Sequence, residues 1–164
     1  MERFDLLRRL FPVLLVCWLT ACANQESRVG GMLKLQTDVR LSIDARANIN
    51  PDHSNESAPV VLRFYELTAE QAFSDADFVR LYERDSAVLG DTLVRRRQLP
   101  GVVPGEIRDH ELVLDANTRY VGIMAEFYQY QNAAYKVVIP VTARNVFRDV
   151  IKLQISGNQL SVVN

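Results

Sequence analysis

Leu33-Lys34-Leu35-Gln36-Thr37-Asp38-Val39-Arg40-Leu41-Ser42-Ile43-Asp44-Ala45 alternates an apolar-leaning set with a charged or polar one, residue by residue. Period two sends successive side chains to opposite faces of a strand. One face seeks a core and the other water, which predicts an antiparallel sheet covered on one side. The stretch therefore predicts an opening strand packed against a second sheet. Downstream, Asn48 to Ser57 breaks the alternation with turn-forming residues and predicts a loop. At roughly ten residues it exceeds the usual 2–5 of a hairpin connection.

Further strands follow. Pro59–Leu67 is the second, with Val60, Leu62 and Phe64 on one side and Val61, Arg63 and Tyr65 on the other. A helical insertion over about 69–86 comes next. Thr68-Ala69-Glu70-Gln71 and Ser74-Asp75-Ala76-Asp77 resemble capping boxes, and Phe78, Leu81 and Tyr82 share a helical face. Leu89-Gly90 ends it. Thr92–Leu99, Ile107–Leu114, Tyr120–Tyr130, Tyr135–Thr142, Ile151–Ser156 and Leu160–Val163 complete about eight strands. Tyr120–Tyr130 is apolar on both faces over its first half, as a central strand should be. Gln131–Ala134 is expected to turn it, and Pro140 assigns the following strand to an edge or a bulge. The fold class is mainly β: a two-sheet β-sandwich with a short helical insertion.

Working upstream, three arginines among the first nine residues precede an apolar run from Leu10 to Leu19, broken by Pro12. Thr20 and Ala21 are small and stand before Cys22. A charged lead, a short apolar run and small residues read as an export signal. The run is too short to span a bilayer, which takes about 20 residues. Leu19-Thr20-Ala21-Cys22 resembles the lipobox of bacterial lipoproteins, whose cysteine carries lipid and becomes the new N-terminus. The expected organisation is residues 1–21 as a removed signal peptide, 22–31 as lipidated Cys22 and a polar tether, and 32–164 as the sandwich. Ala23 after the cysteine resembles the outer-membrane sorting default.

Composition excludes several classes. The chain has 19 basic and 20 acidic residues, so nothing argues for nucleic acid. Trp18 and Cys17 would leave with the signal, so Cys22 would be the lone cysteine. No intrachain disulfide or thiol chemistry is then expected. His53 and His110 have no metal-ligand spacing, and neither a nucleophile elbow nor a phosphate loop occurs. No catalytic residues, metal or small-molecule substrate are expected, and no cofactor beyond the covalent lipid on Cys22. His53 reads as a solvated loop residue or a partner contact, and His110 as a strand-face histidine. Asp75, Asp77 and Asp85 read as capping or solvated carboxylates. Arg95-Arg96-Arg97 is either a charged edge strand, which guards against edge pairing, or a docking patch. Phe127, Tyr128, Tyr130 and Tyr135 stabilise a hairpin or offer an interface. The long loop is a tolerated surface loop or a recognition surface on a rigid scaffold.

Ile49-Asn50-Pro51-Asp52, Ser57-Ala58-Pro59-Val60-Val61-Leu62-Arg63-Phe64-Tyr65-Glu66-Leu67, Phe73, Ala76-Asp77-Phe78, Leu81, Leu89-Gly90, Pro104-Gly105 and Tyr120-Val121-Gly122-Ile123-Met124-Ala125-Glu126-Phe127 occur in an order and spacing that resemble the TssJ family. That family comprises the outer-membrane lipoproteins of the type VI secretion system. The resemblance implies a transthyretin-like sandwich with added helices. It implies a non-catalytic protein on the periplasmic face of the outer membrane, lipid-anchored, tied to the periplasmic C-terminal domain of the large inner-membrane TssM-type component. It implies partner contacts in the loop between the first two strands: Asn50, Pro51, Asp52, His53, Ser54, Asn55, Glu56 and Ser57. The competing expectation is a ligand-binding or carrier periplasmic lipoprotein, which needs a cavity of at least ~300 Å³.

Overall fold

The computed structural model describes residues 37–141 and 149–163. The expected signal peptide, Cys22, the tether and Leu33–Gln36 lie outside the described residues. Eight strands form: β1 (Thr37–Ala45), β2 (Leu62–Leu67), β3 (Leu93–Gln98), β4 (Ile107–Leu114), β5 (Tyr120–Ala125), β6 (Lys136–Pro140), β7 (Asp149–Ser156) and β8 (Gln159–Val163). Helices α1 (Gln71–Asp75) and α2 (Phe78–Leu89) lie between β2 and β3. One sheet has the order β4-β1-β7-β8, the other β3-β2-β5-β6. Every named pair is antiparallel except β1 with β7, which is parallel.

The alternation that predicts β1 also sets its burial. Val39, Leu41, Ile43 and Ala45 are buried, whereas Arg40, Ser42 and Asp44 are partly or fully exposed. They meet Leu62, Phe64, Val121 and Ile123 of the second sheet in one apolar layer. The second sheet is covered on its other face too. Tyr65, Leu67 and Met124 pack there against Phe73, Phe78, Leu81 and Leu89 of the helices. β2 and β5 are therefore buried on both sides, which is why β5 reads apolar throughout. Gly122 leaves room in β5 for the Phe73 ring, which a Cβ there would meet at 3.0 Å.

The structure corrects several local expectations. β5 ends at Ala125 and not at Tyr130. Glu126 N–H donates to Val61 O, Phe127 turns into the core, and Tyr130–Asn132 forms a 3-10 turn. The connection to β6 is thus longer than a four-residue hairpin turn. Neither Thr68 nor Ser74 caps a helix. Glu70 occupies the first cap position without a side-chain bond, and Asp77 caps α2 by accepting from Arg80 N–H at 2.8 Å. Between the helices, Lys136 Nζ donates to the carbonyls of Phe73 and Ser74 at 2.9 and 2.7 Å. Gly90, at φ +49°, ends α2 in a backbone region that glycine enters freely. Pro140 closes β6, a sheet edge, where the missing N–H is harmless.

Candidate functional site

The β1–β2 loop is fixed from below and free at its tip. Ile49 is fully buried in the core. Asn50 follows at φ +48°, a left-handed conformation that Asn tolerates better than most residues. Its N–H donates to Gly157 O at 2.9 Å, and its Nδ2 donates to Pro59 O at 2.7 Å. Its Oδ1 accepts Tyr128 N–H at 2.8 Å. Gln129 Nε2 donates to the carbonyls of Pro51 and Asp52 at 3.2 and 2.8 Å. The Asp52 carboxylate then accepts the N–H groups of Ser54 and Glu56 at 2.7 and 3.0 Å. His53, Ser54, Asn55, Glu56 and Ser57 are exposed, Pro51 and Asp52 are half-buried, and Asn50 is 1% exposed. Asn50 therefore holds the loop from inside, and the residues from His53 to Ser57 form its outer surface.

Beside this loop runs an open groove of about 480 Å³ between α2 and the segment after β5. Val79, Tyr82 and Glu83 line one wall; Tyr128 and Tyr130 line the other. Phe78 forms the floor, stacked on Tyr130 at 4.2 Å and meeting Tyr135 edge-on at 5.2 Å. The aromatic cluster expected around one hairpin therefore divides. Phe127 is core, Tyr130 and Tyr135 bind the helix, and Tyr128 is 61% exposed. The groove lies outside the sandwich, whose interior is filled by apolar side chains.

Two buried carboxylates explain the arginine run. Along β3 the side chains alternate. Arg96 donates to both oxygens of Asp85 at 2.8 Å on the helical side. Arg95 and Arg97 reach Glu66 at 3.3 and 3.0 Å. Asp85, expected to be solvated or capping, is buried and also accepts the Tyr65 hydroxyl at 3.1 Å. Burial raises the Asp85 pKa, but the hydrogen bonds from Arg96, Ser86 N–H and Tyr65 outweigh it and hold the group below the usual carboxylate range. Burial, helped by Asp85, pushes the Tyr65 hydroxyl far up, so it stays a donor. Arg63 pairs with Glu126 and donates to Tyr82 O at 2.9 Å. Arg84 has non-helical angles at this level of α2, so the guanidinium sits at a break in the helical ladder.

His53 and His110 sit on different elements, and among the described residues no cluster of three or more His, Cys, Asp or Glu could hold a metal. His110 lies on edge strand β4, where burial and then Arg108 lower its pKa, and its Nε2 has no partner among the described residues. No described helix is long and apolar enough to cross a membrane. Sequence reasoning missed Glu66, and it read Asp85 only as a capping or solvated carboxylate and Tyr82 only as part of a helical face. The first had a legible signal: an acid in phase with Leu62 and Phe64 on a core-facing set, matched by three arginines on another strand.

A family model described as "Type VI secretion lipoprotein, VasD, EvfM, TssJ, VC_A0113" matches residues 37–158. Solved structures share the fold. The T6SS lipoprotein TssJ1 from Pseudomonas aeruginosa is 29% identical with a TM-score of 0.72, over 78% of this chain and 95% of that one. A chain in a structure described as "Type VI membrane complex" is 23% identical with a TM-score of 0.69, over 79% and 99%. A chain in a structure described as the T6SS protein TssM C-terminal domain (869-1107) from EAEC is 22% identical with a TM-score of 0.63, over 77% and 98%. No curated protein matches the chain.

Proposed function

The chain belongs to the type VI secretion lipoprotein family, and from that premise we propose that it works as a non-catalytic anchor. Lipid on Cys22 holds it at the periplasmic face of the outer membrane. The β1–β2 loop grips the periplasmic C-terminal domain of the large inner-membrane TssM-type component. The observation that carries this reading is the loop itself: an exposed polar surface from His53 to Ser57, braced by Asp52, Asn50 and Gln129 before any partner arrives. Preorganisation of this kind lowers the ordering cost of binding. The presence of this fold in a type VI membrane complex supports the same assembly.

The topology supports the orientation. The described chain enters β1 at Thr37 and leaves at Ala45, so its N-terminal side and the β1–β2 loop lie at opposite ends of the sandwich. Fifteen residue steps from Cys22 to Thr37 span at most about 50 Å. A lipid at Cys22 keeps the domain near the membrane and leaves the loop directed away from it.

The test is binding of the mature lipoprotein, in detergent, to the periplasmic region of the TssM-type component. Replacing His53 and Glu56 by Ala should weaken binding with folding intact; unchanged affinity would refute the loop assignment. Mass spectrometry of the mature protein should find acyl chains on Cys22, and an unmodified N-terminus would refute the anchor.

A further inference from the structure

Val79, Tyr82 and Tyr128 are 41%, 48% and 61% exposed, and all three line the groove beside α2. Large side chains left half open along one groove, two of them tyrosines, match the make-up of binding hot spots. The rim is acidic on the helix side, where Glu83 makes no ion pair among the described residues. Glu126, also on the lining, is matched by Arg63. The groove carries one unbalanced negative charge beside an apolar floor.

The groove is also continuous with the loop. Asn50 lines one end of it, and the Asn50 carboxamide joins Pro59 O to Tyr128 N–H across that end. Gln129, which lies in sequence between the lining residues Tyr128 and Tyr130, donates to the loop carbonyls of Pro51 and Asp52. A protein seated on His53–Ser57 thus has the groove directly alongside, on a wall that cannot shift independently of the loop.

We propose that this groove is a second half of the partner-binding surface. It takes a short segment of the same protein partner that the loop engages, with an apolar side chain inserted between Tyr82 and Tyr128 and a lysine or arginine beside Glu83. The inference rests on the partner reading given above. The charge and the continuity favour a basic-apolar polypeptide over a second copy of this chain.

The experiment measures binding of the full mature lipoprotein to the periplasmic region of the TssM-type component, using Val79→Asp, Tyr128→Ala and Glu83→Lys beside the loop variants. All three groove residues are exposed, and unchanged near-ultraviolet dichroism verifies the fold. Tyr128→Ala and Val79→Asp should each weaken binding about tenfold or more, and Tyr128→Phe should restore most of it. Glu83→Lys should weaken it about threefold or more, with a reduced salt dependence. Groove variants within twofold of the parent, with loop variants still weakened, overturn this inference and leave the loop reading standing. Weakened groove variants with unaffected loop variants do the reverse. Self-association in sedimentation velocity that Val79→Asp abolishes would make a second copy the occupant and overturn the inference.

Discussion

Removing the Glu66 carboxylate should cost more stability than removing any arginine that pairs with it. Glu66 is fully buried, accepts from Arg97 Nη2 at 3.0 Å, Asp115 N–H at 2.7 Å and Thr118 Oγ1 at 3.0 Å, and pairs with Arg95 Nε at 3.3 Å. In Glu66→Ala the two guanidinium groups can turn outward, since their side chains are 43% and 26% exposed. Thr118 is 1% exposed and has no such escape. Each buried donor left without a partner costs about 1–3 kcal/mol. With a discounted ion-pair contribution the loss is about 3–4 kcal/mol, inside the range of about 3–5 for breaking a buried pair. At about 2–4 °C per kcal/mol for a domain of this size, Tm should fall by about 10 °C. Glu66→Gln keeps the shape and one acceptor and should lose about half as much. Arg97→Ala leaves Glu66 two donors and the Arg95 ion pair and should cost about 1–2 kcal/mol. Urea unfolding followed by far-ultraviolet dichroism measures all three, and a double-mutant cycle isolates the Glu66–Arg97 coupling. A Glu66→Ala loss below about 1 kcal/mol, or an Arg97→Ala loss equal to it, would refute the picture of one buried acceptor organising the corner.

Three further outcomes follow from the geometry. Gly122→Ala presses a methyl against the Phe73 ring and should cost about 1–3 kcal/mol; Phe73→Leu in the same chain should recover part of it in urea unfolding. Asp85 is depressed in the folded state, so its stabilisation is present above the unfolded value near 4 and is lost as pH falls through the lower folded value. Asp85→Asn should therefore be less stable at pH 7 yet lose less stability on acidification, and parallel pH profiles would contradict this. Asn50→Ala removes the bridge between Pro59 and Tyr128 at a positive φ and should cost about 2 kcal/mol. Hydrogen exchange at the Tyr128 amide should accelerate, whereas Asn50→Gly should repair only the backbone part.

The sandwich was legible because its strands bury one face and wet the other, and alternation carries that directly. Val39, Leu41 and Ile43 needed no tertiary knowledge to be assigned inward. Long-range polar pairing was not legible. Asp85 sits at helical spacing among ordinary surface residues, and only the fold brings Arg96 and Tyr65 to it. The ends of elements failed for a related reason. Thr68 and Ser74 have the right chemistry for caps, but the first helix starts after Glu70 and the second after Asp77. The loop was visible as a break in pattern, whereas its rigidity depends on Gln129 and Tyr128, far away in sequence.

The proposed anchor and the proposed grip act on the two ends of the same strand. Lipid at Cys22 would load β1 through Thr37, and a partner on the loop would load it beyond Ala45. β1 is a central strand, in register with β4 from Thr37↔Leu114 to Asp44↔Ile107 and with β7 from Val39↔Asp149 to Ala45↔Ile155. Inter-strand hydrogen bonds lie across the strand direction, slanted in the parallel pair. A pull between the two attachments therefore runs along the backbone of β1, across the direction of the ladder bonds, instead of peeling a strand away one bond at a time. β4 on one side and β7 on the other flank this strand, with the buried row Val39, Leu41 and Ile43 fixing its register. The proposed arrangement thus sets the pull of lipid and of partner at opposite ends of a strand that neighbours support on both sides.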